Sequence, residues 1–231
     1  MNRNILIYQH LGLGDHLICN GLVRKICESG DNFQIVTKPT GYTTIKFMFK
    51  DVENLKVVSL ESGNFANPES HGEVAQYAKL NNLEVLKIGH EFMSHDTNFD
   101  KAFYKQFNVD FDNRWTNFKV VRDKEREEKL FRSLNITSDY IFVHEDKARG
   151  MEINRGIDTG LRIIRPEGLS DNLFDYLTLM ERAKEIHVIE SSFIFLIDSF
   201  DFWVPVFAHR YARNYPANNK PTLKLNWNIL V

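Results

Sequence analysis

The chain has 231 residues, a formal net charge of −2, and hydrophobic and charged fractions of 43% and 26%. These values are ordinary for a soluble globular protein. A balanced charge excludes a sequence-wide field that would draw the protein onto nucleic acid or an anionic membrane, so no nucleic-acid partner is expected. The length is enough for one large domain or two small ones.

The two cysteines, Cys19 and Cys27, lie in a segment that we predict to be one helix. The helical rise places them about 12 Å apart, farther than the roughly 7 Å that a disulfide spans. Unpaired thiols favour a reducing compartment, so we expect a cytoplasmic protein. The start of the chain has no apolar run long enough for a signal peptide, and carboxylates interrupt the longest apolar stretch, 186–207, so we expect no integral membrane segment.

Strands and helices alternate through the first half of the chain. Residues 4–9 are a continuous apolar run, typical of a strand buried on both faces, and residues 15–29 carry apolar side chains at helical spacing. This order predicts a parallel sheet with right-handed crossovers. Further strands are predicted at 33–37, 55–60 and 83–88, and further helices at 41–49, 73–80 and 98–107.

The second half also alternates, after a charged helix at 124–134 whose charges are those of a solvated face. Strands are predicted at 140–144, 161–164, 186–189 and 203–207, and helices at 173–183 and 192–200. We therefore predict an α/β protein with one domain at 1–118 and a second at 119–215. Residues 216–231 are predicted to be a tail that packs back on the body.

The first loop that can carry chemistry follows the first strand. Gly12 and Gly14 let the backbone approach a ligand closely, and the helix N-terminus behind them attracts anions. The loop is not a dinucleotide fingerprint, because Leu17 stands where the third glycine belongs, and it lacks the lysine of a P-loop. The alternative is a tight turn in which Asp15 is a first-turn acid that interacts with the helix dipole.

The second loop, 145–150, follows the predicted strand 140–144, which ends at His144, and four of its six residues are charged. Lys147 and Arg149 can bind a pyrophosphate, the arginine in a bidentate manner. The alternative is an exposed charged turn in which these groups pair with one another.

The third loop places Glu190, Ser191 and Ser192 between a strand and a helix. Hydroxyls at a helix N-terminus can donate to phosphate oxygens, and the carboxylate can accept from sugar hydroxyls. The alternative is an ordinary N-cap made by one of the serines. Because all three loops follow predicted strands, where ligands of open parallel sheets bind, their joint occurrence favours a ligand site.

The remaining polar candidates are histidines and a late basic segment. His10 and His16 flank the glycine loop and are candidate partners for an acceptor hydroxyl or phosphate, or simple polar loop residues. The spacing of His90 and His95 matches no zinc-helix pattern, so no metal is expected. Residues 207–215 mix arginine with tyrosine, which can stack on and hydrogen-bond a base or sugar, or can be a segment that packs across the domains.

Two stretches resemble a known family. The sequence GLGDHLICNGLVR at 12–24 resembles the N-terminal motif of heptosyltransferase-like glycosyltransferases of family 9, which have the GT-B fold. The sequence HVIESSF at 187–193 is similar to the late donor-site motif of that fold, which fucosyltransferases share. The resemblance implies two Rossmann-like domains that face a cleft, with the acceptor on the first domain and the nucleotide sugar on the second.

The resemblance also implies roles for individual residues. Asp15 would be the general base on the acceptor hydroxyl, with His10 and His16 on the acceptor side. Donor or phosphate binding would fall to Gly12, Gly14, His144, Lys147, Arg149, Glu190, Ser191 and Ser192. The implied reaction moves a sugar from a nucleotide-diphosphate sugar to a glycan or other hydroxyl acceptor, with inversion and without a metal or bound cofactor.

Two other functions stay open at this stage. The chain is shorter than a usual two-domain member of that family, which favours a nucleotide-binding protein without transfer activity. A Rossmann-like sugar-nucleotide epimerase or dehydrogenase is the other alternative, although the incomplete glycine fingerprint argues against it.

Overall fold

The structure is a computed structural model, and it describes residues 2–9, 12–61, 68–89, 98–157, 160–213 and 220–231. Two compact units divide the chain: Met1–Val121 with Ala217–Thr222, and Arg122–Pro216 with Leu223–Val231. Each unit contains a parallel sheet flanked by helices. The predicted α/β fold class is therefore confirmed.

The first unit is built on a sheet with the strand order β3-β2-β1-β4, in which every neighbouring pair is parallel. The inner strand β1 is buried from Ile5 to Tyr8, because it has a neighbour on each side and helices over its faces. The strands are β1 Asn4–Tyr8, β2 Asn32–Thr37, β3 Leu55–Ser59 and β4 Glu84–Lys87. The helices are α1 Leu13–Ile18, α2 Asn20–Cys27, α3 Tyr42–Met48, α4 Pro68–Leu80, α5 Phe99–Gln106 and α6 Asn113–Thr116.

The second unit has a parallel sheet with the strand order β6-β5-β7-β8-β9. Its central strands β5 and β7 are buried almost throughout. The strands are β5 Tyr140–His144, β6 Arg162–Ile164, β7 Glu185–Val188, β8 Val206–His209 and β9 Asn228–Leu230. The helices are α7 Lys124–Ser133, α8 Leu177–Glu181 and α9 Ser192–Asp198, with 3-10 turns at Lys147–Arg149, Leu173–Tyr176 and Arg210–Ala212.

Both strand orders contain a switch point, where successive connections leave in opposite directions. In the first sheet it lies between β1 and β4, and in the second it lies between β5 and β7. Ligands of open parallel sheets bind outside the carboxyl ends of the strands at such points. The glycine loop follows β1, and the other two predicted loops follow β5 and β7, so all three lie at switch points.

The helix predicted at 15–29 is wrong as a single helix. It is interrupted at Cys19, whose backbone angles of −85° and 3° fall outside the helical range. Asn20 begins α2 with its side chain fully buried, and its Oδ1 accepts the Lys119 N–H at 3.0 Å. This tertiary contact overrides the continuous helical pattern. Cys19 and Cys27 are both free and buried, in line with the predicted absence of a disulfide.

Two predictions near the end of the chain also differ from the structure. The helix predicted at 173–183 starts as a 3-10 turn at Leu173–Tyr176, because the Asn172 side chain accepts the Phe174 N–H. The strand predicted at 203–207 begins only at Val206, beyond Pro205, while Trp203 is 97% exposed. Strand β9 was not predicted, because three residues at a sheet edge carry almost no periodicity.

Candidate functional site

The first candidate region is the first-sheet edge, which we define as Gln9 and residues 12–16. Gly12 caps α1 with extended backbone and without a side-chain hydrogen bond. The Asp15 carboxylate lies over it, since a Cβ at Gly12 would come within 2.5 Å of Asp15 Oδ2. A side chain at position 12 would therefore displace the Asp15 carboxylate, which is half-buried and lies just beyond the carboxyl end of β1.

His16 points into the protein at this edge. It is 1% exposed, and its Nδ1 is hydrogen-bonded to Gln9 Nε2. Burial lowers the pKa of His16 to about 3, so the ring is neutral at pH 7. His10, the other predicted acceptor-side residue, lies outside the described residues.

The second candidate region is the second-sheet edge, which we define as residues 144–150, 189–192 and 209–213. Glu145 is its buried anchor, with an exposure of 3%. Its carboxylate accepts the Ile153 N–H at 2.9 Å and the Arg165 Nε–H at 2.9 Å. Burial raises the pKa of this carboxyl, but the two hydrogen bonds and the positive charges of Arg165 and Lys147 together outweigh burial and hold the pKa below its usual range. Glu145 is therefore an anion that orients a cation.

Lys147 and Arg149 lie on the 3-10 turn beyond β5 and pair with neighbouring acids. Lys147 Nζ is 3.4 Å from Glu145 Oε1, and Arg149 Nε donates to Asp146 Oδ2 at 2.6 Å. Both basic side chains are more than half exposed. The structure thus contains the paired, charged turn that the sequence left open as an alternative.

His144, the last residue of β5, is packed under the same turn. Its ring centroid is 4.3 Å from that of Phe193 in α9. Burial lowers the pKa of His144 to about 4, so the ring is neutral at pH 7.

The loop after β7 brings Glu190 and the two serines to the same edge. Glu190 is 3% exposed, and its Oε1 lies 2.8 Å from Arg210 Nε. Ser191 is the N-cap of α9, because its Oγ accepts the Phe193 N–H at 3.2 Å. Ser192 is the first residue of that helix and is half-buried. The N-cap role that the sequence left open is thus filled by Ser191.

Arg210 and Arg213 were not among the predicted site residues, although the late basic segment contains them. Both follow β8, the neighbour of β7, and both reach back to Glu190: Arg210 pairs with its carboxylate, and Arg213 donates to its backbone carbonyl. Arg165, which follows β6, was missed altogether. The signal that could have found all three residues was their position just beyond predicted strands.

The described residues contain no group of three or more His, Cys, Asp or Glu side chains arranged to hold a metal ion. Within the same residues, no helix is long and apolar enough to cross a membrane.

Neither a protein-family model nor a curated protein matches the sequence. Solved structures do match in fold. The ADP-heptose LPS heptosyltransferase II of E. coli is 7% identical with a TM-score of 0.57, over 100% of this chain and 90% of that chain. A family 9 glycosyltransferase from Veillonella parvula DSM 2008 is 11% identical with a TM-score of 0.54, over 90% of this chain and 81% of that chain.

TibC from enterotoxigenic E. coli H10407, described as an iron-containing dodecameric glycosyltransferase, is 13% identical with a TM-score of 0.52. The match covers 90% of this chain but 58% of TibC. A second structure of TibC holds ADP-D-beta-D-heptose. The family resemblance predicted from the sequence is therefore confirmed at the level of the fold: the chain has the α/β fold of these glycosyltransferases.

Proposed function

We propose that the protein transfers a sugar from a nucleotide-diphosphate sugar to an acceptor hydroxyl, with the second-sheet edge as the donor site. One observation carries the proposal: charged side chains follow the carboxyl ends of β5, β7 and β8, on both sides of the switch point of the second sheet, in a chain whose fold is that of glycosyltransferases. A nucleotide-diphosphate sugar combines two anionic phosphates with many hydroxyls. The edge offers cations for the phosphates and buried carboxylates for the hydroxyls.

The ion pairs of Lys147 and Arg149 are compatible with this role. Both basic side chains are more than half exposed. The Arg149–Asp146 pair is open to solvent on both sides, and such pairs are worth only about 0 to 1 kcal/mol, whereas Lys147 pairs with the buried Glu145. A diphosphate carries more charge than one carboxylate and can accept bidentate hydrogen bonds from arginine. Arg149 can therefore exchange Asp146 for phosphate oxygens at little cost. When Lys147 turns to a phosphate, the buried Glu145 keeps its hydrogen bonds from Ile153 N–H and Arg165.

At the first-sheet edge we propose that Asp15 is the general base. Its carboxylate is half-buried at the carboxyl end of β1, and it lies at the N-terminal turn of α1. A base at this position would take the proton of an acceptor hydroxyl as the sugar is transferred. His16, buried and bonded to Gln9, would support the helix that presents Asp15 instead of contacting the acceptor.

A second candidate is a nucleotide-binding protein without transfer activity. It is favoured by the pairing already present at the edge, where Lys147, Arg149 and Ser191 each have a partner within the chain. The two functions share the donor site and differ in the need for Asp15.

The first experiment measures ADP binding by calorimetry and thermal shift, with UDP, GDP and NAD for comparison. A ligand at a hundredfold excess over its dissociation constant stabilises the native state by about 2.7 kcal/mol, or roughly 5 to 10 °C for a chain of this size. Arg210→Gln is expected to weaken ADP binding, because Arg210 lies beside Glu190. Arg182→Gln is the matched control, since Arg182 pairs with Glu128 and precedes β7, at the amino ends of the strands, away from the proposed site.

No thermal shift with any nucleotide would contradict the donor site. Stabilisation by NAD alone would favour a dehydrogenase or epimerase.

The second experiment tests transfer itself. Release of ADP from ADP-D-β-D-heptose is followed over a panel of glycan acceptors, with and without EDTA. Asp15→Asn is expected to lower turnover by about 10² to 10⁴-fold, with ADP binding unchanged. Asp31→Asn is the control, because Asp31 pairs with Arg3 at the surface.

An Asp15→Asn variant with full turnover would refute the assignment of the base. Binding of ADP without transfer in any variant would favour the second candidate. Turnover that is lost in EDTA would refute the expected metal independence.

A further inference from the structure

A continuous chain of hydrogen bonds runs along one face of the second sheet. His187 Nε2 lies 2.9 Å from Glu185 Oε2, and His187 Nδ1 lies 2.9 Å from His209 Nε2. His209 Nδ1 then lies 3.1 Å from the Tyr211 hydroxyl. The three strand residues share one face of the sheet, because Glu185 and His187 are two apart on β7, and His209 is two residues from Phe207, which lies opposite His187 on β8.

The carboxylate at one end fixes the direction of every bond in this chain. An ionised Glu185 only accepts, so the proton of neutral His187 lies on Nε2 and its Nδ1 accepts. His209 must then donate from Nε2, and its Nδ1 accepts in turn. The single proton of the Tyr211 hydroxyl has two acceptors at 3.1 Å, His209 Nδ1 and the Arg155 carbonyl. With Nδ1 of His209 unprotonated, the bond between the two side chains forms when Tyr211 donates to His209.

The direction holds only while both histidines are neutral. Both are fully buried, and burial lowers the pKa of each, that of His209 to about 4. Glu185 on β7 faces His187 and favours its charged form. His187, Arg155 and the Tyr211 hydroxyl face His209, and the first two disfavour its charged form. Phe207 stacks on His187 at 4.5 Å.

Tyr211 also hydrogen-bonds the backbone of residues 154 and 155. Its oxygen accepts the N–H groups of Asn154 and Arg155, both at 3.2 Å, and the Arg155 guanidinium lies 4.4 Å above its ring. Gly156 closes the segment with a φ of +76°, and a Cβ there would come within 2.9 Å of Leu230. Tyr211 also shares its 3-10 turn with Arg210, the partner of Glu190.

We propose that Tyr211 is a positioning residue of the donor site, held in place by the relay of Glu185, His187 and His209. Through its hydroxyl it fixes residues 154–155, and through its place in the chain it fixes the turn that carries Arg210. The relay itself stands on the hydrogen bonds above, while its effect on a ligand rests on the proposed function. When His209 takes up a proton, its Nδ1 becomes a donor to the Tyr211 oxygen. The Tyr211 hydroxyl hydrogen then turns from His209 to the Arg155 carbonyl.

The first test is amide hydrogen exchange of the unliganded protein, followed at the segment that contains residues 154 and 155. Tyr211→Phe keeps the ring over Arg155 and removes the hydroxyl, so protection at these amides is expected to fall about tenfold. Tyr140→Phe is the matched control, because its buried hydroxyl bonds only the Leu179 carbonyl, at 2.6 Å, away from the relay. Equal protection in Tyr211→Phe and the wild type would overturn the proposal.

The second test uses pH. Protection in the wild type, corrected for the intrinsic exchange rate, is expected to fall as the pH is lowered from 7 towards 4. His209→Gln offers an amide with one donor and one acceptor and cannot be protonated in this range, so its protection should stay level. Amides of β5 in the same samples report global unfolding. A parallel loss at residues 154–155 in His209→Gln and the wild type would overturn the relay.

The third test links the relay to the site with ADP as the probe. Tyr211→Phe is expected to raise the ADP dissociation constant several-fold, whereas Tyr140→Phe leaves it unchanged. Equal ADP affinity of Tyr211→Phe and the wild type would refute the positioning role. If the wild type itself binds no ADP, the proposed function fails, and the exchange experiments alone decide the relay.

Discussion

His16 offers a stability prediction that needs no knowledge of the ligand. The ring is 1% exposed, and burial lowers its pKa to about 3. The folded protein therefore keeps this histidine neutral, while the unfolded chain protonates it near its ordinary pKa of about 6.5. Between these two values the unfolded state binds more protons. The stability contributed by the neutral ring is thus complete above pH 6.5 and is lost as the pH falls towards 3.

The magnitude follows from the pH interval. At pH 5 an unfolded histidine lies about 1.5 pH units below its pKa, and each unit corresponds to about 1.4 kcal/mol, so His16 alone lowers the free energy of unfolding by about 2 kcal/mol between pH 7 and pH 5. His16→Gln removes this loss, since a glutamine does not titrate and still offers Gln9 a hydrogen-bond partner.

The assay is urea unfolding at pH 7, 6 and 5, read by the fluorescence of Trp115 in the first unit. The other two tryptophans, Trp203 and Trp227, are changed to Phe, so that the signal reports that unit alone. Tyr104→Phe is the matched control. Its buried hydroxyl donates to the Ile18 carbonyl at 2.7 Å, so its loss lowers stability at every pH without changing the slope.

The comparison that matters is the loss of stability between pH 7 and pH 5. We expect this loss to be about 2 kcal/mol smaller in His16→Gln than in either the wild type or Tyr104→Phe. If all three proteins lose the same amount, His16 is not a buried neutral histidine and the reasoning is wrong.

Two further predictions concern packing in the first unit. Gly21→Ala should lower the free energy of unfolding in urea by several kcal/mol, about the upper end for a point variant, because its Cβ would come within 1.9 Å of the Asn113 carbonyl oxygen. Gly72→Ala is the control and should be neutral or stabilising, since Gly72 has open space around it. Equal effects of the two substitutions would contradict the packing of α2 on α6. Asp100→Asn should lower the free energy of unfolding by about 3 to 5 kcal/mol, because it leaves Arg114 charged in a site where both side chains are 0% exposed. An Asp100→Leu, Arg114→Met double variant should recover most of this loss. An Asp100→Asn variant with near wild-type stability would refute a buried ion pair.

The order of the larger strands and helices could be predicted because each has a recognisable pattern of apolar residues in the sequence. Residues 4–9 and 140–144 are continuous apolar runs, and both are inner strands of parallel sheets. The order of strands and helices then places the loops after them at the carboxyl ends of the strands. For this reason Asp15, Lys147 and Glu190 could be found as candidates without a structure.

What the sequence missed depends on contacts between distant residues. The break at Cys19 follows from the bonds of Asn20 to residue 119, and no local pattern contains that information. Arg165 and Arg210 matter because of Glu145 and Glu190, which become their neighbours only when the strands are ordered in the sheet. His187 and His209 likewise meet only through the pairing of β7 with β8. A strand order of β6-β5-β7-β8-β9 cannot be derived from periodicity.

The paired charges of the second-sheet edge are best understood by comparing burial on the two sides of each pair. Glu145 and Glu190 are each 3% exposed. The partners of Glu145 are more open, since Lys147 is more than half exposed and Arg165 more than a third exposed, whereas Arg210, the partner of Glu190, is only 17% exposed. The acids are thus fixed parts of the protein, and the exposed cations beside Glu145 are the parts that can move, while Arg210 stays packed against Glu190. A fixed carboxylate repels phosphate and suits a hydroxyl, while a movable cation can turn from the carboxylate to an incoming phosphate at little cost. On the proposed function, the buried acids select the sugar-bearing part of the ligand, and the exposed cations follow its diphosphate.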